Sequence, residues 1–476
     1  METEPIKQSL KIRGKSMDDI TDIVEIQKKF FNTNATKDIK LRKEKLRTLY
    51  EVIKDNTKEI EEALYKDLGK AEFEAYETEI GITLSEIRFV LKHLSSWAKV
   101  RKVKSPILHF PSKSYIYYEP YGTVLIMSPW NYPFQLCMVP LIGAIASGNT
   151  VILKPSKYSM NTSLLIEKLI SQVFHKQYVA VIQGGREENT KLLKQKFDYI
   201  FFTGSPRVGK VVMEEASHNL TPVTLELGGK SPCIVDETSD IDLSAKRIAW
   251  GKYVNCGQTC IAPDYILVQE DVKEELVEKL KFYIEKFYTS NPLGNKEYPK
   301  IISKKHFDRL NNLLTNEMIL YGGCIDENKN KIEPTLIDER DINTCWNSPV
   351  MQEEIFGPLF PIVTYKDIDE LISILKTKDK PLALYLFTNS KSCEKRMVNE
   401  LSFGGGTIND TLIHITNENM CFGGVGNSGM GQYHGYKSFE TFSHIKAIMK
   451  KSNLIDINLR YPPFKKNAKM LKRLMK

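Results

Sequence analysis

The first hundred residues repeat apolar and charged positions with the period of amphipathic helices. Segments 19–31, 40–65 and 73–97 each carry an apolar stripe opposite a charged face. After Pro111 the pattern shortens to β-rich runs at 121–128, 150–153, 179–182 and 199–202, separated by helical stretches at 134–146, 163–174, 188–194 and 206–218. This alternation predicts a parallel sheet covered on both faces, as in nucleotide-binding α/β domains. A second alternating series from Ser231 to about Thr407 predicts a second α/β domain. Its clearest members are strands at 233–235 and 265–269 and helices at 243–253 and 274–287. Glycine-rich stretches at 403–406 and 422–431, a strand at 443–449 and a basic tail close the chain.

Residues 121–153 contain no charge, which raises the question of a membrane span. Pro129, Pro133 and Pro140, with Asn131, Gln135 and Asn149, fit a strand, a turn, a buried helix and a second strand instead. A chain of 476 residues is too long for one compact core and predicts two or three domains. The formal net charge of +8 comes from 67 basic and 59 acidic residues, a mild excess without the concentrated patch that nucleic acid demands. Eight scattered cysteines form no disulfide framework and point to reduced thiols in a cytoplasmic compartment. The first 17 residues mix acids and bases without an apolar core, so they do not form a signal peptide.

Four runs hold candidate chemistry. NCGQTCIAPD (255–264) places Cys256 and Cys260 four apart, which supplies two metal ligands and no more. Either thiol is then a small buried hydrophobe or a nucleophile on a turn. LELGGK (225–230) puts Glu226 at an apolar strand end, where it is paired structurally or kept as a general base. In SPWNYP (128–133), Asn131 either aims an amide at a reacting oxygen or caps the helix that Pro133 opens. FTGSPRVGK (202–210) nearly spells a Walker A loop, but Val211 stands where a magnesium-binding Ser or Thr is needed. What remains is a glycine-bounded turn into a helix N-terminus, able to face a phosphate.

Together with KPS (154–156), EEIFGP (353–358) and FGGVGNSGMG (422–431), these runs occur in the order found in the aldehyde dehydrogenase superfamily, and the chain resembles that family from about residue 17 to 463. CIAPDY after the cysteine, INDTLIHIT (408–416), YHGYKSFETFSH (433–444) and RYPPF (460–464) are similar to the class 3 branch, which acts on fatty and aromatic aldehydes. The resemblance implies an α/β fold with a Rossmann-like cofactor domain, a second α/β catalytic domain and a small β oligomerisation element. The corresponding parts are 1–227, with 113–118 in the oligomerisation element; 228–406, carrying Cys260; 407–455, returning to the cofactor domain and ending in the oligomerisation strand; and a basic amphipathic tail at 456–476.

It also implies roles. Cys260 would add to the aldehyde carbon, with the oxyanion between the Asn131 amide and the Cys260 backbone N–H, and Glu226 would activate the water that hydrolyses the thioester. Lys154 and the turn containing Gly204, Ser205 and Gly209 would hold the adenosine side of NAD or NADP, Glu354 the nicotinamide ribose, and Phe356 the nicotinamide end. Cys256 is either packing or a partner for reversible oxidation of Cys260. Many relatives have Glu where this chain has Lys157; losing that carboxylate removes a repulsion toward a 2′-phosphate, so use of NADP as well as NAD is expected.

A CoA-acylating dehydrogenase and a catalytically silent relative are the alternatives; the former tends to lack the glutamate present here as Glu226. A homodimer is expected, pairing through 113–118 and 443–449. In the tail, Phe464, Ala468, Leu471 and Met475 share a helical face ringed by Lys465, Lys466, Lys469, Lys472, Arg473 and Lys476. That is the pattern of a helix contacting an anionic membrane surface, with a cover over the substrate entrance or a frayed end as the alternatives.

Overall fold

The computed structural model describes residues 19–315, 317–456, 461–464, 468 and 472. Leu471, Met475, Lys465, Lys466, Lys469, Arg473 and Lys476, on which the tail expectation rests, lie outside them.

Asp19 caps the first helix, Ile20–Asn32, by accepting from the Thr21 N–H. The stripe at 40–65 forms two helices rather than one, Ile39–Asp55 and Thr57–Leu68. They break at Asn56, whose side-chain amide donates to the Val52 carbonyl at 2.7 Å and so competes with the backbone ladder. Segment 73–97 is also interrupted. Tyr76–Ile80 widens into a turn in which the Gly81 N–H reaches back five residues to Tyr76. This places Glu79 inside the molecule while its neighbour Glu77 stays exposed.

The uncharged stretch is core. Strand Thr123–Met127 and helix Gln135–Ser147 are buried at every position, as is the next strand, Thr150–Lys154. Pro140 sits within the helix instead of ending it.

Among the described residues three sheets organise the chain, beside a two-stranded ribbon, Ile325–Asp326 with Lys331–Ile332. The six-stranded sheet runs in the order Gly429–Met430, Val223–Glu226, Tyr199–Thr203, Thr123–Met127, Thr150–Lys154, Val179–Val181. It is parallel except for Gly429–Met430, which returns from late in the chain to pair antiparallel with Leu225 and Glu226. The first strand in sequence lies centrally, so the strand order reverses beside it, where ligands bind in such sheets.

The seven-stranded sheet runs Ile319–Tyr321, Thr335–Asp341, Leu359–Tyr365, Tyr265–Gln269, Pro232–Val235, Ala383–Phe387, Gly405–Ile408. It too is parallel apart from its first member. In the small third sheet, Ser443–Lys451 pairs with Ser112–Pro120 along its full length, and Arg101–Val103 takes the other side. Strand Ser443–Lys451 is therefore an edge strand, with Ile445 and Met449 exposed on one face.

Candidate active site

The candidate residues come from two directions. Asn131 follows strand Thr123–Met127, Lys154 and Glu226 end their strands, and Gly204 follows Thr203, so four carboxyl ends of the six-stranded sheet supply them. From the seven-stranded sheet come segments that precede strands: Gly228–Lys230 before Pro232, Cys260 before Tyr265, and Glu354 with Phe356 before Leu359. The site lies in the seam between these ends. At Gly257 (φ +72°) a Cβ would collide with the Gly357 carbonyl, so glycine permits the two loops to touch.

Cys260 is half-buried on the turn after the helix Ile241–Tyr253. Its Sγ receives the backbone N–H groups of Cys260 and Ile261. Burial pushes the thiol well above its ordinary range, and the nearby Glu354 and Glu226 carboxylates push it further. Glu226 is 2 % exposed, and neither carboxylate oxygen has a hydrogen-bond partner. Burial raises its pKa well above the carboxylate range. Of the two possibilities for this glutamate, a structural pairing is not seen among the described residues: its buried carboxyl lies without a partner within electrostatic reach of Cys260.

Asn131 does not cap a helix. The helix that follows begins at Gln135, and Glu79 Oε2 accepts its Phe134 and Gln135 N–H groups at 2.8 and 3.2 Å. The Asn131 side chain turns toward the cysteine loop and donates to the Gln258 carbonyl at 3.0 Å. The next residue repeats the link: the hydroxyls of Tyr132 and Thr259 are 2.5 Å apart. Tyr385 OH donates to the Ile261 carbonyl at 2.6 Å.

Cys256 points elsewhere. It belongs to the core cluster of the seven-stranded sheet and donates to the Tyr298 hydroxyl at 3.2 Å, whereas Cys260 packs against the other cluster. Packing, not partnership with Cys260, is what this geometry serves.

The cofactor candidates form a second group. Lys154 Nζ donates to the Pro155 and Gly184 carbonyls at 2.9 and 2.8 Å, and burial lowers its ammonium to about 8. The Gly204 N–H donates to the Glu226 carbonyl at 3.0 Å, tying the turn to the strand end that carries the glutamate. Ser205 is exposed and its side chain does not cap the helix Pro206–Ser217, which leaves that N-terminus open to an anion. A Cβ at Gly209 would come within 2.8 Å of Leu227 Cδ2, so glycine lets this helix lie close to the end of strand Val223–Glu226. Glu354 is raised to about 8 by burial, with Asp264 adding to the shift, while the Gly229 N–H favours its charged form. Phe356 has φ +51° and meets Trp130 edge-on at 5.3 Å. Lys157 is exposed and runs past Gly185, where a Cβ would lie 3.0 Å from its Cδ. An open helix N-terminus beside a glycine turn, together with the buried Glu354 carboxylate held by the Gly229 N–H, has the donors and acceptors that a dinucleotide would need.

Several residues escaped the sequence reading: Lys70, Glu74, Glu79, Asn255, Gln258 and Tyr433. Tyr433 OH is buried without a partner and lies within electrostatic reach of Glu226 and Cys260. Its ring is 4.3 Å from that of His434, which lines a cavity of about 320 Å³ with Ile82, Glu86, Ile415 and Glu418.

The aldehyde dehydrogenase family model matches residues 4–448. The chain is 51 % identical over 451 residues to 4,4′-diaponeurosporen-aldehyde dehydrogenase of Staphylococcus aureus, covering 94 % of this chain and 97 % of that one. It is 46 % identical over 449 residues to the dimeric NADP-preferring aldehyde dehydrogenase of Mus musculus, covering 94 % and 98 %. The substrate-bound structure of Staphylococcus aureus AldH superposes with a TM-score of 0.94 at 50 % identity, over 97 % of this chain and 100 % of that one.

Proposed function

The chain belongs to the aldehyde dehydrogenase family and oxidises aldehydes to carboxylic acids with NAD or NADP, and from that premise we propose that Cys260 carries the reaction as a thioester which Glu226 helps to hydrolyse. The observation that carries this reading is the buried Glu226 carboxylate, both of whose oxygens lack a partner, within electrostatic reach of the Cys260 thiol. A carboxylate so placed is costly unless it has a proton to take.

Cys260 Sγ adds to the aldehyde carbon once its proton has left. The thiol's raised pKa makes a neighbouring base necessary, and Glu226 is placed to be one. The oxygen that becomes an anion is met by the Cys260 N–H and by the second amide hydrogen of Asn131, the first being engaged by Gln258. When bound, the cofactor supplies the hydride acceptor at its nicotinamide ring. Glu354 would hold the nicotinamide ribose and Phe356, against Trp130, the nicotinamide end, while Lys154, Gly204, Ser205 and Gly209 would hold the adenosine side. This reading divides the chain between 227 and 228, so that Glu226 closes the cofactor part and Cys260 belongs to the catalytic part.

The cavity beside His434 takes the rest of the aldehyde. Ile82 and Ile415 offer apolar walls, and Glu86 and Glu418 line it with carboxyl groups and disfavour anionic tails. Medium- to long-chain aliphatic or aromatic aldehydes fit that chemistry. The relative named 4,4′-diaponeurosporen-aldehyde dehydrogenase is in keeping with this class, and the relative named as dimeric supports a homodimer, for which the edge strand Ser443–Lys451 offers the pairing surface. No helix among the described residues is long and apolar enough to cross a membrane. A peripheral contact of the basic tail with anionic lipid is tested by vesicle co-sedimentation of the full chain against a chain ending at Pro463; equal binding excludes it.

The main reading is tested by adding an aldehyde and NAD and following absorbance of the reduced cofactor. Acid formed without CoA selects hydrolysis; dependence on CoA selects an acylating enzyme, and no reduction at all a silent one. A panel of straight-chain and aromatic aldehydes compared by kcat/KM then assigns the substrate class.

A further inference from the structure

Lys70 and Glu79 form an ion pair of 2.5 Å whose side chains are both fully buried. Neither belongs to any motif of the family resemblance, and both lie outside the two large sheets: Lys70 in the link after helix Thr57–Leu68, Glu79 in the wide turn Tyr76–Ile80. A buried ion pair contributes little to stability by itself, because desolvation offsets the attraction. What distinguishes this one is where its remaining bonds go. Lys70 Nζ donates to the Asn131 carbonyl at 3.2 Å and stands 3.9 Å from the centre of the Tyr132 ring. Glu79 accepts the N–H groups of Phe134 and Gln135. The pair therefore grips residues 131–135 at both ends.

The grip extends to the cysteine loop. The Asn131 carbonyl that receives Lys70 also receives Asn255 Nδ2 at 2.8 Å. Asn255 Nδ2 donates in turn to the Gln258 carbonyl at 3.0 Å, and that carbonyl is the acceptor of the Asn131 side-chain amide. Asn131, Asn255 and Gln258 thus close a ring of hydrogen bonds two residues before Cys260. Asn255 and Cys256 both have φ +54°, a left-handed conformation that non-glycine residues hold only under constraint. Glu74 supplies part of it by accepting the Asn255 N–H at 2.8 Å.

We propose that Lys70 is a positioning residue for acylation. Its charged bond to the Asn131 carbonyl, balanced by Glu79, fixes the peptide from which the Asn131 amide projects, and so sets the distance between that amide and Cys260. The inference rests on the reading of Asn131 as an oxyanion donor. Lys70 touches neither aldehyde nor cofactor and acts only through Asn131.

A mutant cycle on the full-length enzyme tests this. The readout is the pre-steady-state burst of reduced cofactor at saturating NAD and aldehyde, with NAD affinity measured separately by fluorescence titration. Asn131→Ala lowers the burst rate about a hundredfold. Lys70→Met lowers it about tenfold in the wild-type background. In the Asn131→Ala background the same substitution lowers it by less than about twofold, because the group it positions is gone. NAD affinity stays within about twofold throughout. Where Lys70→Met does not yield soluble enzyme, Lys70→Met/Glu79→Gln removes both charges and is measured in the same cycle. An equal loss in both backgrounds, no loss in either, or failure of both variants to fold overturns the positioning role. A burst unaffected by Asn131→Ala removes the oxyanion reading itself, and the role of Lys70 with it.

Discussion

The hydroxyls of Tyr132 and Thr259 meet at 2.5 Å, fastening the residue after Asn131 to the residue before Cys260. The bond is buried and crosses between the two halves of the site, so its loss acts on both stability and rate. Tyr132→Phe leaves the ring in place over Lys70 and removes only the hydroxyl. The expected cost is about 1–2 kcal/mol in a urea titration and a burst rate lowered about threefold, with cofactor affinity unchanged. A burst rate equal to wild type would show that this fastening serves the fold alone.

Cys260→Ser abolishes aldehyde oxidation and keeps cofactor binding, because a serine hydroxyl stays protonated at neutral pH. Glu226→Gln stalls after the hydride step. The expected record is one burst of reduced cofactor per site followed by turnover at least about a hundredfold slower than wild type. Stopped-flow absorbance separates the two phases, and wild-type turnover in Glu226→Gln removes that residue from the mechanism.

The pH dependence has a definite sign. Burial raises Glu226 well above the carboxylate range, and it raises Glu354 to about 8 and the Cys260 thiol likewise upward. A group that must be deprotonated to act, and whose pKa is raised, becomes active only as pH increases. kcat therefore goes on climbing with pH above the range in which an exposed glutamate base would already have reached its plateau. In Glu226→Gln the residual hydrolysis loses that slope. A flat wild-type profile above that range contradicts the assignment.

Lys157 lies along Gly185, three residues after the Lys154 proposed to hold the adenosine side. The wild type is expected to use NADP as well as NAD, and Lys157→Glu to shift the ratio of kcat/KM toward NAD by about tenfold. Binding of each cofactor followed by fluorescence gives a second reading independent of turnover. An unchanged ratio clears position 157 of any part in cofactor choice.

The edge strand Ser443–Lys451 presents Ile445 and Met449 on one exposed face and an unpaired ladder along its free side. Ile445→Asp/Met449→Asp is expected to convert a dimer to monomers in light scattering, without loss of secondary structure by circular dichroism. A wild type that runs as a monomer ends this reading at once.

The parts of the site legible in the sequence are those whose chemistry is written into a short stretch of backbone. Gly204 and Gly209 beside a strand end, Glu226 closing another, and Cys260 on a turn all show in runs of ten residues or fewer. The break at Asn56 was not legible, because the apolar stripe continues across it and only a side-chain bond to Val52 ends the helix. Nor was the burial of Lys70 and Glu79. Nine residues apart among helices with many other charges, they read as two more solvent-facing groups, and only the wide turn at Tyr76–Ile80 carries Glu79 inward. The pairing of Gly429 with Glu226 joins positions some two hundred residues apart, and nothing local announces it.

The two large sheets face the seam with opposite polarity, one with the ends of its parallel strands and the other with their beginnings. Neither contains a reaction centre of its own, so the catalytic set is a property of their apposition. A substitution anywhere along that contact that displaces one sheet by about an ångström keeps every helix and strand while costing on the order of a hundredfold in rate. Heritable change in either half is therefore answerable to the other, and the residues under the tightest joint constraint include buried ones, such as Lys70 and Gly257, that no substrate ever meets.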